Sequence, residues 1–376
     1  MQDHQESPPG LEYDTSAPVL VTGATGYVAG WLTRRLLEEG FSVHAAVRNP
    51  GIANQMTHIE RMRRELPGSI QFFQADLLER GSYTRAMKDC SVVFHTASPF
   101  EFAVRDPQRE LIDPAVLGTR SVLDSVNVTG SVRRVVLTSS VVATYGDNAD
   151  IAKLPGKVLN EEAWNTTSTP KHQPYPYSKT QAERIAWEIA EAQDRWRLVT
   201  VNPGLVLGPC VTDYIPDAYS FSLIKKFADG TLKAGVPPYE TGMVDVRDVA
   251  EAHLRAGFLP GAQGRHIIFS DVKRFIDVSA LLHAMFKDHR PFPHRVLPKW
   301  LLWLVGPRAD KAFTRPVVSK NMRHPWRADN SKSRQSLGMQ YRAIEQAITD
   351  MFSQMIELGA VQVPQALTGS HKPGTS

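Results

Sequence analysis

The sequence predicts a doubly wound α/β fold, with a mainly parallel sheet between two layers of helices and a smaller C-terminal lobe. Short apolar runs alternate with longer amphipathic stretches from Pro18 onward. A glycine-rich turn follows the first run, and the regular alternation weakens after about Pro203. Such alternation is typical of parallel sheets that helices cover on both faces. These sheets bind ligands beyond the carboxyl ends of their strands.

Six short apolar runs predict the strands of this sheet, at residues 19–22, 42–47, 70–74, 91–95, 132–138 and 198–201. The longer stretches predict helices at residues 30–39, 82–89, 115–126, 178–192, 247–256 and 341–358. Gly40 fits the position just after the first helix, because glycine readily adopts the left-handed conformation that ends helices.

The same patterns divide the chain into four parts. Residues 1–16, rich in Pro, Ser and acidic groups, are predicted to be a disordered lead-in, and residues 361–376 a disordered tail. Residues 17–202 form the predicted cofactor-binding domain. Residues 203–360 form mainly a substrate-binding lobe, with a segment at about 243–270 that returns to the main domain. The Pro-, Trp- and Lys/Arg-rich segment 291–326 matches no clear element.

Composition excludes several classes of protein. The chain has 376 residues, of which 42% are hydrophobic, enough to bury a full core. Its 43 basic and 39 acidic residues are scattered without a dense Lys/Arg run, so we expect no nucleic acid partner. Cys90 and Cys210 are too few for a zinc site or a disulfide framework. We therefore predict no bound metal and a reducing compartment.

Two features bear on location. The N-terminus, MQDHQESPPG, is polar and acidic and lacks the apolar stretch of a secretory signal. The most apolar late run, residues 300–305, is far shorter than the ~20 residues that span a bilayer. We therefore expect a soluble, cytoplasmic protein with no membrane partner.

Residues 21–30 read VTGATGYVAG and place Gly23, Gly26 and Ala29 at the three small positions of a phosphate-binding loop. Gly23 permits a tight turn, Gly26 lets the backbone approach a pyrophosphate, and Ala29 allows close packing of helix on strand. The next helix offers free N–H groups and the positive end of its dipole to phosphates. Because the motif follows a strand and opens a helix, it favours a Rossmann-type dinucleotide site over an ordinary glycine-rich turn.

The end of the second strand indicates which dinucleotide binds. An acidic residue here would hold the ribose 2′-hydroxyl of NAD, but the sequence has Ala46 and Val47 followed by Arg48. A guanidinium suits a 2′-phosphate, so we predict NADP(H), with a surface arginine as the alternative. Asp76, after the third strand, is predicted either to hold the adenine amino group or to cap the following turn.

Tyr175 and Lys179, in the run YPYSK, are candidate catalytic residues. At a helix start, residues four apart share one face, and first-turn prolines are tolerated. A lysine ammonium near a phenol lowers the pKa of the phenol, as a proton donor near neutral pH requires. Tyr177, two residues from the lysine, faces elsewhere and is the weaker candidate. This spacing also arises by chance, so the assignment depends on further residues.

The supporting residues end the strand VRRVVLTSS, at Thr138, Ser139 and Ser140. The carboxyl end of a parallel strand presents ligand-binding groups, and a hydroxyl there stabilises charge developing on a carbonyl oxygen. We assign this role to Ser140. Ser139 is expected only to form a local turn.

Five segments in order resemble the extended short-chain dehydrogenase/reductase family: the glycine loop, VFHTASP (93–99), the Thr-Ser-Ser strand end, Tyr-x-x-x-Lys and VNPGLVLGP (201–209). The branch they resemble is that of the dihydroflavonol reductase-like aldehyde and ketone reductases, over residues 17–355. The resemblance implies NADPH-dependent reduction of an aldehyde or ketone, or the reverse oxidation. Ser140 would hold the carbonyl oxygen, Tyr175 would protonate it, and Lys179 would bind the nicotinamide ribose and tune the tyrosine.

The motifs and the resemblance together assign cofactor contacts to a longer set: Gly23, Thr25, Gly26, Tyr27, Val28, Arg48, Asp76, Leu77, Thr96, Ala97, Ser98, Thr138, Tyr175, Lys179, Pro203, Gly204 and Val206. His95 is expected to be a core residue, because it lies inside a strand end. The candidate substrate-pocket walls, for which burial in the core is the alternative, are Phe100, Tyr145, Tyr219 and Phe221.

Departures from the family narrow the substrate. Tyr145 stands where plant dihydroflavonol reductases carry an asparagine, and HQPYPY replaces the Asn-Trp-Tyr-Cys-Tyr signature of cinnamoyl-CoA reductases. Neither a flavonoid nor a cinnamoyl-CoA substrate is therefore predicted. Ser139 and Ser140 replace the Asp-Glu pair of sugar-nucleotide dehydratases.

Three alternatives to a carbonyl reductase stay open on the sequence. They are a nucleotide-sugar epimerase, a hydroxysteroid dehydrogenase, and a non-enzymatic cofactor sensor, which would be expected to lose the Ser-Tyr-Lys set. The partner implied in every enzymatic case is a small molecule. The resemblance also makes a homodimer through helices of the main domain plausible.

Overall fold

Ten strands are present in the computed structural model, which describes residues 13–98, 105–286 and 292–361. They are β1 Val19–Thr22, β2 Ser42–Val47, β3 Ser69–Gln74, β4 Val92–His95, β5 Arg134–Thr138, β6 Arg197–Pro203, β7 Leu205–Leu207, β8 Glu240–Asp245, β9 Gly264–Ile268 and β10 Asp271–Arg274. The six predicted strands are all among them, with ends that differ by at most two residues.

The main sheet has the strand order β3-β2-β1-β4-β5-β6-β9, and every neighbouring pair in it is parallel. The predicted doubly wound α/β fold is therefore confirmed. Apolar runs such as VLVT in β1 and VVFH in β4 are buried along their whole length, as strands covered on both faces require. The strand order reverses between β1 and β4, which opens a ligand crevice at their carboxyl ends.

Fourteen α-helices accompany the strands within the described residues. They are α1 Tyr27–Glu38, α2 Pro50–Asn54, α3 Thr57–Glu65, α4 Thr84–Met87, α5 Asp113–Val128, α6 Asn148–Ile151, α7 Pro174–Glu191, α8 Tyr219–Ala228, α9 Val246–Phe258, α10 Phe275–Met285, α11 Lys299–Ala309, α12 Arg315–Asn321, α13 Ser331–Ser336 and α14 Ile344–Glu357. The predicted start of α7 at residue 178 is wrong by four residues, because Pro174 occupies the first-turn position that proline favours.

The helices cover the main sheet on both faces. Successive strand side chains point to opposite faces, so Val21 of β1 joins the core beneath α1 and α9, whereas Leu20 joins the core beneath α5. Gly40 follows α1 with a φ of 85°, and its N–H donates to the carbonyl of Leu37 at 3.1 Å. This left-handed glycine ends the helix as predicted.

The C-terminal lobe is built on a second, three-stranded sheet with the order β10-β8-β7. Its core contains residues of α8, α10 and α14, among them Phe221, Phe275 and Phe352. Between β8 and β10 of this sheet the chain returns to the main domain. There α9 packs against α1, and β9 extends the main sheet beside β6.

The segment left unassigned by the sequence contains α11 and α12, and ends with a buried tryptophan. Trp326 is only 2% exposed, and a Cβ on Gly242 of β8 would lie 2.3 Å from its ring. The glycine therefore admits the indole into the lobe. None of the helices in the described part of the chain is both long and apolar enough to cross a bilayer.

Candidate active site

The glycine loop lies at the crevice between β1 and α1. Gly23 has a φ of 64°, and its N–H donates to the carbonyl of Ala46 in β2 at 2.8 Å. A Cβ at Gly23 would lie 3.1 Å from the Cα of Ala97, so the loop after β4 leaves no room for a side chain. Gly26 is exposed and precedes the first turn of α1, whose N–H groups have no acceptor within the helix. This arrangement fits a pyrophosphate.

The side chains that follow the loop pack into the protein. The hydroxyl of Tyr27 donates to the carbonyl of Gly208 at 2.6 Å. The Tyr27 ring packs edge-on against that of Phe221, with 5.1 Å between the two ring centroids. Val28 packs against the core of the main domain, and Thr25 is half-buried. Because these two side chains are engaged within the protein, Tyr27 and Val28 can make their predicted cofactor contacts only through their backbone N–H groups.

The loop after β4 is held against β1 by one buried hydroxyl. Oγ1 of Thr22 accepts from the backbone N–H groups of Thr96 at 3.1 Å and Ala97 at 3.0 Å. It also lies 3.0 Å from Nδ1 of His95, which is 2% exposed. Burial, followed by the charge of Lys179, lowers the pKa of His95 to about 3, so the ring is neutral. The prediction that His95 is a core residue is confirmed.

The residues predicted to contact the adenosine half lie at the ends of β2 and β3. Arg48 directly follows β2 and is exposed, two residues beyond the carbonyl that holds the glycine loop. Oδ1 of Asp76 accepts from the N–H of Leu78 at 2.8 Å. This bond is the turn cap that was one of the two roles predicted for Asp76, and the adenine contact stays a prediction. Leu77 packs against α5, since a Cβ on Gly118 of that helix would lie 3.1 Å from the Cβ of Leu77.

Ser140, Tyr175 and Lys179 meet at the carboxyl ends of β4 and β5. Ser140 follows β5, and the other two residues lie one turn apart at the start of α7. A hydrogen bond joins the hydroxyls of Ser140 and Tyr175. Nζ of Lys179 donates to Oγ of Ser98 at 3.0 Å and lies 5.9 Å from the centroid of the tyrosine ring. The structure therefore brings all three predicted catalytic residues and Ser98 together.

Burial controls the protonation of these groups. It raises the pKa of Tyr175 to about 12, although the hydrogen bond to Ser140 opposes the change. Burial lowers the pKa of Lys179 to about 8, against the influence of the Glu183 carboxylate. The pKa of the phenol is thus raised, not lowered as a proton donor near neutral pH was expected to require, because desolvation outweighs the influences that favour phenolate. Tyr175 therefore holds its proton at neutral pH, and Lys179 is mostly charged.

A buried carboxylate that the sequence analysis missed supports this group. Glu183 is fully buried and accepts from Oγ of Ser139 at 2.5 Å, Nδ2 of Asn202 at 2.8 Å and Nε of Arg265 at 2.6 Å. The same Asn202 amide donates to the carbonyl of Ser140 at 3.2 Å. Ser139 thus has a structural partner beyond its expected turn. Glu183 lies one helical turn after Lys179, and this spacing is the sequence signal that could have indicated its place beside the site.

Four predicted cofactor residues lie at the ends of β5 and β6 or in β7: Thr138, Pro203, Gly204 and Val206. Oγ1 of Thr138 lies 2.6 Å from Nε2 of the buried His253 on α9, so its hydroxyl is engaged within the protein. A Cβ on Gly204 would lie 2.4 Å from the carbonyl oxygen of Gly242, so this glycine is required where β8 crosses. Val206 is half-buried and pairs with β8.

Two of the candidate pocket aromatics belong to the core, which corrects their assignment. Tyr145 is 4% exposed beside Trp326, and Phe221 is 2% exposed within the lobe. Neither ring has a surface left to line an open pocket. Tyr219 starts α8 and is 44% exposed. Phe100 lies outside the described residues.

A second buried carboxylate lies between the site and the lobe. Asp147 is fully buried, with Nε2 of His172 at 2.7 Å and Nδ2 of Asn321 at 2.6 Å. Nε2 of Gln173 at 3.3 Å and Nζ of Lys320 at 3.5 Å also lie near this carboxylate. It joins the segment just before α7 to the end of α12. No sequence pattern indicated this cluster, because its members come from three distant segments.

Comparison with known proteins is consistent with this geometry. Residues 19–267 match the model of the NAD dependent epimerase/dehydratase family. Cinnamoyl-CoA reductase CAD2 of Medicago truncatula is 37% identical over 71% of this chain and 80% of its own. Tetraketide alpha-pyrone reductase 1 of Arabidopsis thaliana is 33% identical over 91% of this chain and 96% of its own. Gre2 from Candida albicans, solved in complex with NADPH, has 27% identity and a TM-score of 0.71 over 91% of this chain and 99% of its own.

The chain belongs to the NAD dependent epimerase/dehydratase family, and the predicted resemblance to extended short-chain dehydrogenases/reductases is confirmed. Within this family it is an oxidoreductase, and several relatives that align with most of its length are named as reductases. The predicted cofactor, NADP(H), agrees with the NADPH complexes of the Gre2 structures.

Proposed function

We propose that this protein is an NADPH-dependent reductase that converts an aldehyde or ketone to an alcohol, and catalyses the reverse reaction. One observation carries the proposal. The Ser140–Tyr175 hydroxyl pair, with Lys179 one turn further along α7, faces the crevice beside the glycine loop. This combination provides a proton donor and a carbonyl-binding hydroxyl next to a dinucleotide site.

The residues around the crevice fit a nicotinamide dinucleotide phosphate. The backbone of the glycine loop and the first turn of α1 would hold the pyrophosphate. Arg48 would bind the 2′-phosphate through charge-assisted hydrogen bonds. Lys179 and Ser98, already joined at 3.0 Å, would hold the nicotinamide ribose. When bound, the reduced nicotinamide supplies the hydride that the carbonyl carbon accepts.

The chain's own groups manage the proton. Ser140 and Tyr175 both donate hydrogen bonds to the substrate oxygen, which stabilises the negative charge that develops there. Tyr175, whose pKa burial raises to about 12, keeps its proton until the oxygen becomes basic enough to take it. The ammonium of Lys179 then stabilises the phenolate left behind.

The substrate is proposed only as a class. The aligned relatives are named for reduction of cinnamoyl-CoA and tetraketide alpha-pyrones, and a structural neighbour is named for methylglyoxal and isovaleraldehyde. Their common chemistry is a reducible carbonyl. The half-exposed Tyr219 at the start of α8 is the aromatic of the lobe that we retain as a candidate pocket wall.

The test is Tyr175→Phe, assayed by NADPH oxidation with a panel of aldehydes, aryl ketones and keto esters. Turnover should fall by about 10²–10⁴-fold, because the general acid is lost, while NADPH binding persists. Tyr177→Phe is the matched control, since it removes a phenol two residues away on the same helix, and it should keep near-normal turnover. A Tyr175→Phe enzyme with near-normal turnover would sink the assignment.

The same assay separates the alternative functions. Net oxidation of NADPH well above that of NADH supports the reductase. A protein that oxidises neither cofactor, and releases bound NAD on denaturation, would instead be an epimerase-type enzyme.

A further inference from the structure

Helix α11 has an apolar surface that the fold leaves half covered. Its sequence, KWLLWLVGPRA, is apolar nearly all round. One side packs into a small cluster, in which Leu302 contacts Val318 and Met322, and Gly306 lies against Phe313. A helix that is apolar all round is normally buried on every side. The outer side of α11 therefore calls for a partner.

Exposed apolar residues are concentrated on this helix. Thirteen large hydrophobic side chains are exposed within the described residues, and five of them lie between positions 296 and 305. Trp300 is 69% exposed and Trp303 is 40% exposed, with Leu304 and Val305 beside them at 49% and 45%. The other eight are scattered over the rest of the described chain. Clustered exposed apolar surface marks an interaction site, whereas single exposed residues do not.

Positive charge surrounds this patch. Residues 292–326 contain seven Lys and Arg residues and a single acidic residue, Asp310, which is already paired with Lys226 at 3.4 Å. The whole chain, by contrast, is nearly balanced, with 43 basic and 39 acidic residues. The exposed cations of this segment are Arg295, Arg308, Lys311, Arg315, Lys320 and Arg323.

A cleft combines the two properties. It has a volume of about 550 Å³ and is lined by Pro298, Lys299, Trp300, Trp303 and Arg323. The guanidinium carbon of Arg315 lies 4.5 Å from the centroid of the Trp303 ring, which fixes the ring at the edge of the cleft. Lys299 and Arg323 both line the cleft, and Nζ of Lys299 donates to the carbonyl of Ser319 at 2.7 Å. Two cations and two indole rings therefore line one cleft, a combination that matches a phosphate headgroup attached to an apolar chain.

We propose that α11 and its basic surroundings dock this protein on the surface of an anionic phospholipid bilayer, with α11 lying in the interface. Indole rings favour the headgroup region of bilayers, and Lys and Arg near that surface are attracted by anionic lipids. Because one side of α11 packs on the protein and only its outer apolar side is exposed, the helix can lie in the interface but not across the bilayer. Because α11 need not span the bilayer, the shortness of its apolar run is no obstacle. The proposal departs here from the prediction of no membrane partner.

Charge argues against two other occupants of this face, a second copy of the chain and its C-terminal residues. A two-fold dimer through the patch would place the cations of one copy against those of the other. The chain's own residues 362–376 contain a lysine and no acidic side chain, so their side chains do not neutralise the cations. A negatively charged surface with an apolar interior satisfies both features of the patch.

The test is flotation of the full-length protein with vesicles of phosphatidylcholine containing phosphatidylserine, against vesicles of phosphatidylcholine alone. The protein should float with the anionic vesicles and detach at high salt, because exposed charge interactions are screened. Trp300→Ser with Trp303→Ser should weaken binding by roughly tenfold or more. Lys299→Gln with Arg323→Gln should also weaken binding by roughly tenfold or more, because each substitution removes the attraction of one cation to the anionic lipids.

Matched controls keep the outcome decisive. Leu117→Ser with Val128→Ser removes two other exposed apolar side chains, 54% and 72% exposed on α5, and should leave vesicle binding unchanged. All variants should keep the NADPH affinity and far-UV spectrum of the unmodified protein. Three results would each overturn the proposal: no flotation with anionic vesicles, equal flotation of the tryptophan variant, or an unmodified protein that is a dimer while the tryptophan variant is a monomer. None of these readouts requires reductase activity, so the proposal fails or stands independently of the proposed function.

Discussion

Two fully buried carboxylates, Glu183 and Asp147, organise the two sides of the site in different ways. Glu183 lies inside the main domain and binds groups on β5, β6 and β9. Asp147 lies where the main domain meets the lobe and binds groups that precede α7 and end α12. The first fixes the catalytic groups within one sheet, and the second fastens separate segments to each other.

The side chains paired with these two carboxylates differ in access to water. The Arg265 side chain opposite Glu183 is 7% exposed, and its guanidinium carbon lies 4.0 Å from the centroid of the Trp164 ring. The Lys320 side chain near Asp147 is 48% exposed, and that of His172 is 17% exposed. A cation that reaches solvent can be rehydrated when its partner is removed, whereas a sealed one cannot. The two carboxylates should therefore differ sharply in their effect on stability.

The largest expected effect is that of Glu183→Gln. It leaves the guanidinium of Arg265 buried without its counter-charge, so the free energy of unfolding should fall by about 3–5 kcal/mol. Urea denaturation measures this change. Glu188→Gln removes an exposed carboxylate five residues later on the same helix and should change stability by less than about 0.5 kcal/mol. A loss below about 1 kcal/mol for Glu183→Gln would show that the buried pair is readily resolvated.

The same substitution should change the pH dependence of turnover. Glu183 raises the pKa of Lys179, which burial lowers to about 8. Removing the negative charge disfavours the ammonium, so the pKa of the lysine should fall further. The alkaline limb of kcat/KM, which reports the free enzyme, should then move to lower pH. An unchanged limb would mean that another group sets it.

Asp147→Asn should have a smaller effect. It removes one charge while Lys320 and His172 gain water, so we expect the free energy of unfolding to fall by about 1–2 kcal/mol. Asp124→Asn, which affects an exposed pair with Arg80, should fall within about 0.5 kcal/mol of the unmodified protein. Denaturation of all four variants under one set of conditions tests the comparison directly. Equal losses for Glu183→Gln and Asp147→Asn would contradict it.

The contrast also explains what the sequence could predict. The crevice is built from local patterns, namely strand runs, the Gly23–Gly26 turn and the helix that carries Tyr175 and Lys179. The rules of parallel sheets then bring the strand ends together without any knowledge of long-range contacts. Glu183 was not predicted as a site residue, because a single acidic residue on a helix face usually lies in solvent.

The lobe side could not be predicted in this way. Asp147 binds Asn321 across 174 positions, and Trp326 fills the space that Gly242 leaves in β8. Such pairs have no spacing rule. The prediction that Tyr145 lines the substrate pocket was wrong for the same reason, because the residues that bury its ring come from segments far along the chain. Helix α11 was missed because its apolar residues show no periodicity that separates a covered from an open side.

The smallest expected effect concerns Arg48, the one cofactor-discriminating residue that local sequence predicted at the end of β2. Arg48→Gln should lower the preference for NADPH over NADH by about tenfold or more, because one or more charge-assisted hydrogen bonds to the 2′-phosphate are lost. Stability should hardly change, since the side chain is exposed. The ratio of kcat/KM for the two cofactors measures the effect. Arg64→Gln, which removes the same charge from an exposed position on α3, controls for general electrostatics. If both variants keep the ratio, NADPH selection lies in residues that the second strand does not carry.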